Sequence, residues 1–171
     1  VVNANATAFY STSSSNVVKE RDEPNNQWNV VTNSSSVALT PGKGYYVRAS
    51  NGTTSSSNAT SLSLTFTGNG LNNGAVTTPN LTSTGASFTG FNLVSNPYPS
   101  YTDWTTVTKT NVGGTMWYRT HDGTNMNFGT VNASGVGTTV GSTVLTKYIP
   151  PMQSFWVRVS NYGQNASLTF N

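Results

Sequence analysis

Cysteine is absent from the 171 residues, which excludes a disulfide framework and any thiolate metal site. Charge is scarce as well, with 8 Lys+Arg against 5 Asp+Glu and a single histidine. The carboxylates are Glu20, Asp22, Glu23, Asp103 and Asp122, too few and too scattered to read as the paired acids of a glycoside hydrolase. His121 has no serine in a G-x-S-x-G elbow to activate, and a triad needs a positioned nucleophile as well as a base. One histidine without cysteine leaves a transition metal short of ligands, and calcium would have to draw on Asp122, Asp103 and backbone carbonyls. The sequence therefore predicts a protein that is not an enzyme, with no catalytic residues, no metal ligands and no cofactor. Glu20, Asp22 and Glu23, interleaved with Lys19 and Arg21, read as a solvated loop cluster. The net charge of +3 is spread from Lys19 to Arg158, too thin for a phosphate-binding stripe, so no nucleic-acid partner is expected. No apolar run approaches the roughly 18 residues of a membrane span, so no membrane insertion is expected. Lys/Glu-rich stretches with apolar residues three and four apart are missing too, which removes the usual signature of a surface helix.

What is present is strand material. Ser, Thr, Asn and Gly dominate, and the apolar share is carried by valine and by aromatics, which make up 11% of the chain. Short alternating runs between Gly/Asn/Ser/Pro clusters predict an all-β fold, an antiparallel β-sandwich with little or no helix. The clearest strands are 6–10, 27–31, 44–49, 61–67, 86–89, 92–95, 115–119, 127–130, 154–159 and 166–170. Segments 11–23 and 51–58 lack periodicity and read as loops, and 69–79 reads as a connector. Pro97 and Pro99 forbid a continuing ladder after Val94. Asp103, just past that corner, is expected to cap a turn or bond backbone amides. Asp122-Gly123 reads as a hairpin turn.

The chain also repeats itself. Residues 39–50, LTPGKGYYVRAS, align without a gap on residues 149–160, IPPMQSFWVRVS. Ser63-Leu64-Thr65-Phe66 recurs as Ser167-Leu168-Thr169-Phe170, and Phe9-Tyr10 is matched by Trp117-Tyr118. The reading is two duplicated units, 1–74 and 75–171, standing apart or merged into one composite pseudo-symmetric domain. Residues 90–104 have no partner in the first unit, which is therefore expected to be N-terminally incomplete.

Alternation in Phe155-Trp156-Val157-Arg158-Val159 puts Phe155, Val157 and Val159 on a core face and Trp156 with Arg158 on the other. By the same rule Tyr45 and Val47 point inward, and Tyr46 and Arg48 outward. Each unit thus presents an aromatic beside an arginine, which reads either as a guanidinium stacked on a ring at the sheet surface or as a sugar-stacking platform. Trp117, Arg119, His121, Asp122 and Asn125 gather on one hairpin. Flat rings beside hydrogen-bonding forks suit the apolar face and hydroxyls of a pyranose. The candidate ligand-binding residues are Trp117, Arg119, His121, Asp122, Asn125, Trp156 and Arg158, and the expected partner is a polysaccharide or glycan surface.

The segment Gly90-Phe91-Asn92-Leu93-Val94-Ser95-Asn96-Pro97-Tyr98-Pro99, then Asp103-Trp104, then Ile149-Pro150-Pro151-Met152-Gln153-Ser154-Phe155-Trp156-Val157, resembles a β module near the C-termini of large secreted proteins of Bacteroidetes. There a GWNLVGNPYPS…DW segment precedes an IxPxQGFFV segment, commonly followed by a type IX secretion sorting domain. Pro41-Gly42-Lys43-Gly44-Tyr45-Tyr46-Val47 and Leu64-Thr65-Phe66-Thr67-Gly68 resemble the passage upstream of it. Ser95 and Ser154 depart from that pattern, which has glycine at both places. The resemblance implies an extracellular or cell-surface setting, attached to the outer membrane after export, beside neighbouring domains of a larger chain. It implies a setting and not a chemistry; the residues themselves are read as a noncatalytic module, carbohydrate-binding or adhesive, or else as a structural spacer or assembly domain upstream of a sorting domain.

Overall fold

The computed structural model describes residues 2–5, 18–31, 36–47, 66–67, 70–87 and 89–171. The fold is all-β, as the composition predicts. The largest sheet has the order β14-β13-β12-β11-β16-β8, built from Thr143–Thr146 (β14), Val136–Val140 (β13), Met126–Val131 (β12), Val112–His121 (β11), Ser154–Val159 (β16) and Phe91–Ser95 (β8). Its pairings are antiparallel. A second sheet orders Thr108–Thr110 (β10), Ser167–Phe170 (β17) and Val76–Thr77 (β7) as β10-β17-β7. The segment 69–79, expected to be only a connector, thus contributes a short strand.

These two sheets enclose the core. On β11, Met116 and Tyr118 are buried, and on β16, Phe155, Val157 and Val159 are. Leu168 and Phe170 meet them from β17, and Trp104 fills the middle with no exposure. The rings of Trp104 and Phe155 lie edge to face, centroids 5.8 Å apart, an arrangement that adds to the area they bury.

The corner motif explains why these layers stay in register. Asn96 is fully buried. Its amide nitrogen donates to the carbonyls of Ser100 at 2.7 Å, Ile149 at 3.0 Å and Pro150 at 3.1 Å. Its oxygen accepts from the Tyr98 amide at 3.0 Å and the Thr102 hydroxyl at 2.9 Å. The Tyr98 hydroxyl donates to the carbonyls of Gly74 and Phe170. Thr102–Asp103 (β9) then pairs with Tyr148–Ile149 (β15), and Asp103 caps the 3-10 turn Trp104–Thr106 by accepting from the Thr105 amide. Asp103 also pairs with Lys147 at 2.7 Å. That ammonium, with the Thr105 hydroxyl next, holds the carboxyl down at about 2. The expected turn-capping role of Asp103 is what the structure places there. Lys109 lies over the Trp104 ring at 3.9 Å and donates to the carbonyls of Trp104 and Val107.

The first part of the chain forms two smaller sheets among the described residues. One orders Val2–Asn5 (β1), Ser36–Leu39 (β4) and Phe66–Thr67 (β6) as β4-β1-β6. The other orders Val18–Asp22 (β2), Gln27–Val30 (β3) and Tyr45–Val47 (β5) as β3-β2-β5. The topology of this second sheet parallels β12-β11-β16, since in each the first strand of a hairpin takes the aromatic strand on its other edge. Val18 faces Val47 and Lys19 faces Tyr46, as Met116 faces Val157 and Trp117 faces Trp156. In this register Lys19 stands where Trp117 stands in the large sheet; Phe9-Tyr10 lies outside the described residues.

Several expectations change. Residues 18–22 are not a loop but strand β2, in which charged residues are accommodated because only Val18 is buried, while Glu23 opens the turn that follows. Glu23 is not solvated but 4% exposed, and its Oε1 accepts from the Gly90 amide at 2.8 Å. Residues 86–89 hold no strand among those described, because the Thr89 amide and hydroxyl fold back onto the Ala86 carbonyl. Tyr45 is only half-buried and Val47 is 42% exposed. The apolar cluster beneath them is small, Val18 with Val31, Leu39 and Tyr45, and does not cover both. Arg48 and segments 6–10 and 51–58 lie outside the described residues.

The two parts join edge to edge. The Gly44 amide donates to the Leu93 carbonyl at 3.0 Å, and the Ser95 amide donates to the Gly42 carbonyl at 3.1 Å, so β8 is flanked on both edges. The Ser154 hydroxyl bonds the backbone of Tyr45. A Cβ on Gly44 would lie 2.7 Å from the Leu93 carbonyl carbon and the Val94 nitrogen, inside any real contact. Gly44→Ala is therefore expected to cost about 2–4 kcal/mol, from overpacking and the two seam bonds. Denaturant melts would measure this cost, and amide exchange should show Ser95 losing protection. Unchanged protection would mean that the seam absorbs the methyl.

Candidate functional site

Strand alternation leaves a second face on the large sheet, opposite the core. On it Trp117 of β11 lies across from Trp156 of β16, and Trp156 across from Leu93 of β8. Arg158 faces Phe91 in the same register, and Arg119 faces Phe128 of β12. Phe91 and Trp117 meet edge to face with centroids 5.3 Å apart. The Arg158 guanidinium sits 5.4 Å from the Phe91 centroid, and its Nε donates to the Thr89 carbonyl at 3.1 Å. The stacked-guanidinium reading of Arg158 thus finds its ring in Phe91 and not in Trp156.

The first part of the chain extends this face. Trp28 of β3 meets Trp156 edge to face at 5.8 Å, and Tyr46 of β5 lies 5.8 Å from Trp28 at a tilt. Trp28 is 39% and Tyr46 46% exposed. Lys19 stands directly across from Tyr46, and Arg21 across from Trp28, so both cations share the face of those rings. Arg21 is held by the Gln27 carbonyl and the Asn26 side chain. The result is a run Tyr46, Trp28, Trp156 continuing to Trp117 and Phe91, with Lys19, Arg21, Arg119 and Arg158 beside it.

Of the predicted site residues, Trp117, Arg119, Trp156 and Arg158 belong to this face. His121, Asp122 and Asn125 form the tip of the β11–β12 hairpin, where the Asp122 carboxylate is engaged by the turn itself while His121 and Asn125 are exposed. Asp122 Oδ1 accepts from the amides of Asn125 at 2.7 Å and Thr124 at 2.8 Å, while Oδ2 takes the Asn127 side chain. Those amides hold the carboxyl below its usual range. His121 Nδ1 accepts from the Gly123 amide at 2.9 Å. Asp122 thus fastens its own turn, with three bonds accepted from within the hairpin. Asp22 does the same in the β2–β3 hairpin, accepting from the Asn25 amide and from the side chains of Asn25, Gln27 and Asn29.

Sequence reasoning missed Trp28 and Lys19 as members of this face. Trp28 lies within a predicted strand, but only the fold of β2–β3 against the large sheet brings its ring to Trp156. A cleft of about 360 Å³ opens at the same seam, lined by Val18, Tyr45, Val47, Pro97, Met152 and Ser154 among others. Lys43 lines it, paired with Glu20 at 2.6 Å, so the cleft gathers no acid–base pair. Among the described residues no group of three His, Asp or Glu side chains is placed to hold a metal.

The chain belongs to the family described as Domain of unknown function (DUF8693), whose model matches residues 1–171. No curated protein and no solved structure matches it.

Proposed function

We propose that this member of the family is a noncatalytic, carbohydrate-binding module that holds a glycan on the face centred on Trp156. The observation that carries the reading is the contiguous run Tyr46, Trp28 and Trp156, with successive ring centroids 5.8 Å apart, Tyr46 and Trp28 exposed and Trp156 half-buried. Exposed contiguous aromatic patches mark interaction sites on soluble domains, and sugar rings stack on such faces through their C–H surfaces. The noncatalytic reading is supported by where the acids go. Glu20 pairs with Lys43, Asp103 with Lys147, Asp22 and Asp122 fasten turns, and Glu23 binds the Gly90 amide.

The GFNLVSNPYPS…DW and IPPMQSFWV segments support an extracellular or cell-surface setting within a larger exported chain, of the kind that precedes a type IX sorting domain. In this reading the chain arose by duplication, in keeping with the shared order and register of β3-β2-β5 and β12-β11-β16. The competing reading, a structural spacer, is favoured by one observation: the most distinctive motif residues, Asn96, Tyr98, Asp103 and Trp104, all spend their polar groups inside the fold.

Calorimetric titration of soluble polysaccharides against the wild type, Trp156→Ala and Trp28→Ala separates the two. Wild-type binding weakened about tenfold or more in either variant, as expected for losing a central aromatic anchor, is the predicted outcome. Absence of wild-type binding across a broad panel would favour the spacer. Binding untouched by both substitutions would place the site elsewhere.

A further inference from the structure

The distribution of charge around the aromatic run is lopsided. Of the seven Lys and Arg side chains among the described residues, Lys43 and Lys147 are paired with carboxylates and Lys109 is spent on backbone carbonyls over Trp104. The other four, Lys19, Arg21, Arg119 and Arg158, all fall on the face that carries Tyr46, Trp28, Trp156 and Trp117. Each stands on a strand beside a ring, Lys19 across from Tyr46, Arg21 from Trp28, Arg119 from Phe128 and Arg158 from Phe91. None of them forms an ion pair with a carboxylate among the described residues. All five carboxylates are engaged elsewhere, in ion pairs, turns or the Glu23–Gly90 bond. Among the described residues the uncompensated positive charge is thus concentrated on the aromatic surface.

We propose that this face selects acidic polysaccharides, sugar chains that carry carboxylates as uronic acids, over neutral ones. The inference rests on the reading of the face as a carbohydrate surface and adds the ligand's charge to it. The rings supply sequence-tolerant stacking along an extended chain, and the guanidinium forks of Arg21, Arg119 and Arg158 suit a planar carboxylate, which they bind in bidentate geometry. Arg158 is held through Nε by the Thr89 carbonyl, which leaves both terminal nitrogens of its fork to donate, whereas Arg21 already spends one N–H of each terminal nitrogen on the Gln27 carbonyl and the Asn26 side chain and keeps the others. Because the cations line an exposed face, the preference will be strongest at low ionic strength, where the Debye length is about 30 Å at 0.01 M, and will fall as salt shortens it to about 8 Å at 0.15 M.

The test uses one polymer in two charge states, polygalacturonate and its methyl ester, so that backbone and ring faces are alike. Polygalacturonate is expected to bind about tenfold more tightly than the ester at low salt, with the gap closing at physiological salt. The double substitution Arg119→Gln/Arg158→Gln should abolish the preference while leaving the unfolding midpoint unchanged. Lys147→Gln, which removes a positive charge away from the face, should retain it. Equal binding of acid and ester without salt dependence overturns the inference and leaves the carbohydrate reading standing. Binding of neither polymer, nor of any other glycan, overturns both. Tighter binding of oligothymidylate than of polygalacturonate overturns it in favour of a single-strand nucleic-acid surface.

Discussion

Asn96→Ala is expected to lower the unfolding free energy by about 3–5 kcal/mol, because several fully buried groups lose their partners at once. The Ile149 carbonyl, the Tyr98 amide and the Thr102 hydroxyl all bond this one side chain in the interior. Asn96→Asp sharpens the test. It keeps the shape and the acceptor but loses the donor, and sets a carboxylate against the carbonyls of Ser100, Ile149 and Pro150, so it should be at least as damaging. Denaturant unfolding of both variants measures the effect. A loss below about 1 kcal/mol in either would mean that water replaces the side chain's bonds, and that the corner is held by Pro97 and Tyr98 instead.

Phe155→Ala should cost a similar amount, about 3–5 kcal/mol, the usual penalty for deleting a core aromatic. Phe155 is 1% exposed, edge-on to Trp104 and tilted against Tyr118, so the cavity would open between the two layers where neither can collapse. The aligned strand of the first part provides the contrast. Val47→Ala, at a position 42% exposed, should cost less than about 1 kcal/mol. Comparable losses in the two variants would show that β5 is buried as deeply as β16.

The pattern of successes and failures has a common cause. Period-two alternation settled both faces of β16, since Phe155, Val157 and Val159 are buried while Arg158 is exposed. It also set Trp117 and Arg119 together, away from Tyr118. The same rule failed for Val47, because alternation says only which residues share a face, not whether a second layer exists to cover it. The Val18–Asp22 strand escaped notice for a related reason. A run of Lys, Glu, Arg and Asp carries no hydrophobic period, and its pairing comes from β3 and β5 on either side.

The candidate site divides in the same way. Aromatic and arginine side chains at strand positions were legible, and so was a hairpin at Asp122-Gly123, in which the Asp122 carboxylate fastens the turn. An aspartate that starts a tight turn finds the amides two and three residues on closer than any ligand, so its residue type alone could not separate the two roles.

By itself the sequence determined the class of fold, the absence of cysteine chemistry and which side chains of β11 and β16 share a face, because these follow from composition and local period. Only the tertiary structure decided that Trp28 meets Trp156, that Glu23 crosses to Gly90, and that four cations share one surface. These depend on how β2 and β3 fold against β8 and β16, and contacts between residues so far apart in sequence, 67 positions even for Glu23 and Gly90, leave no local period to read.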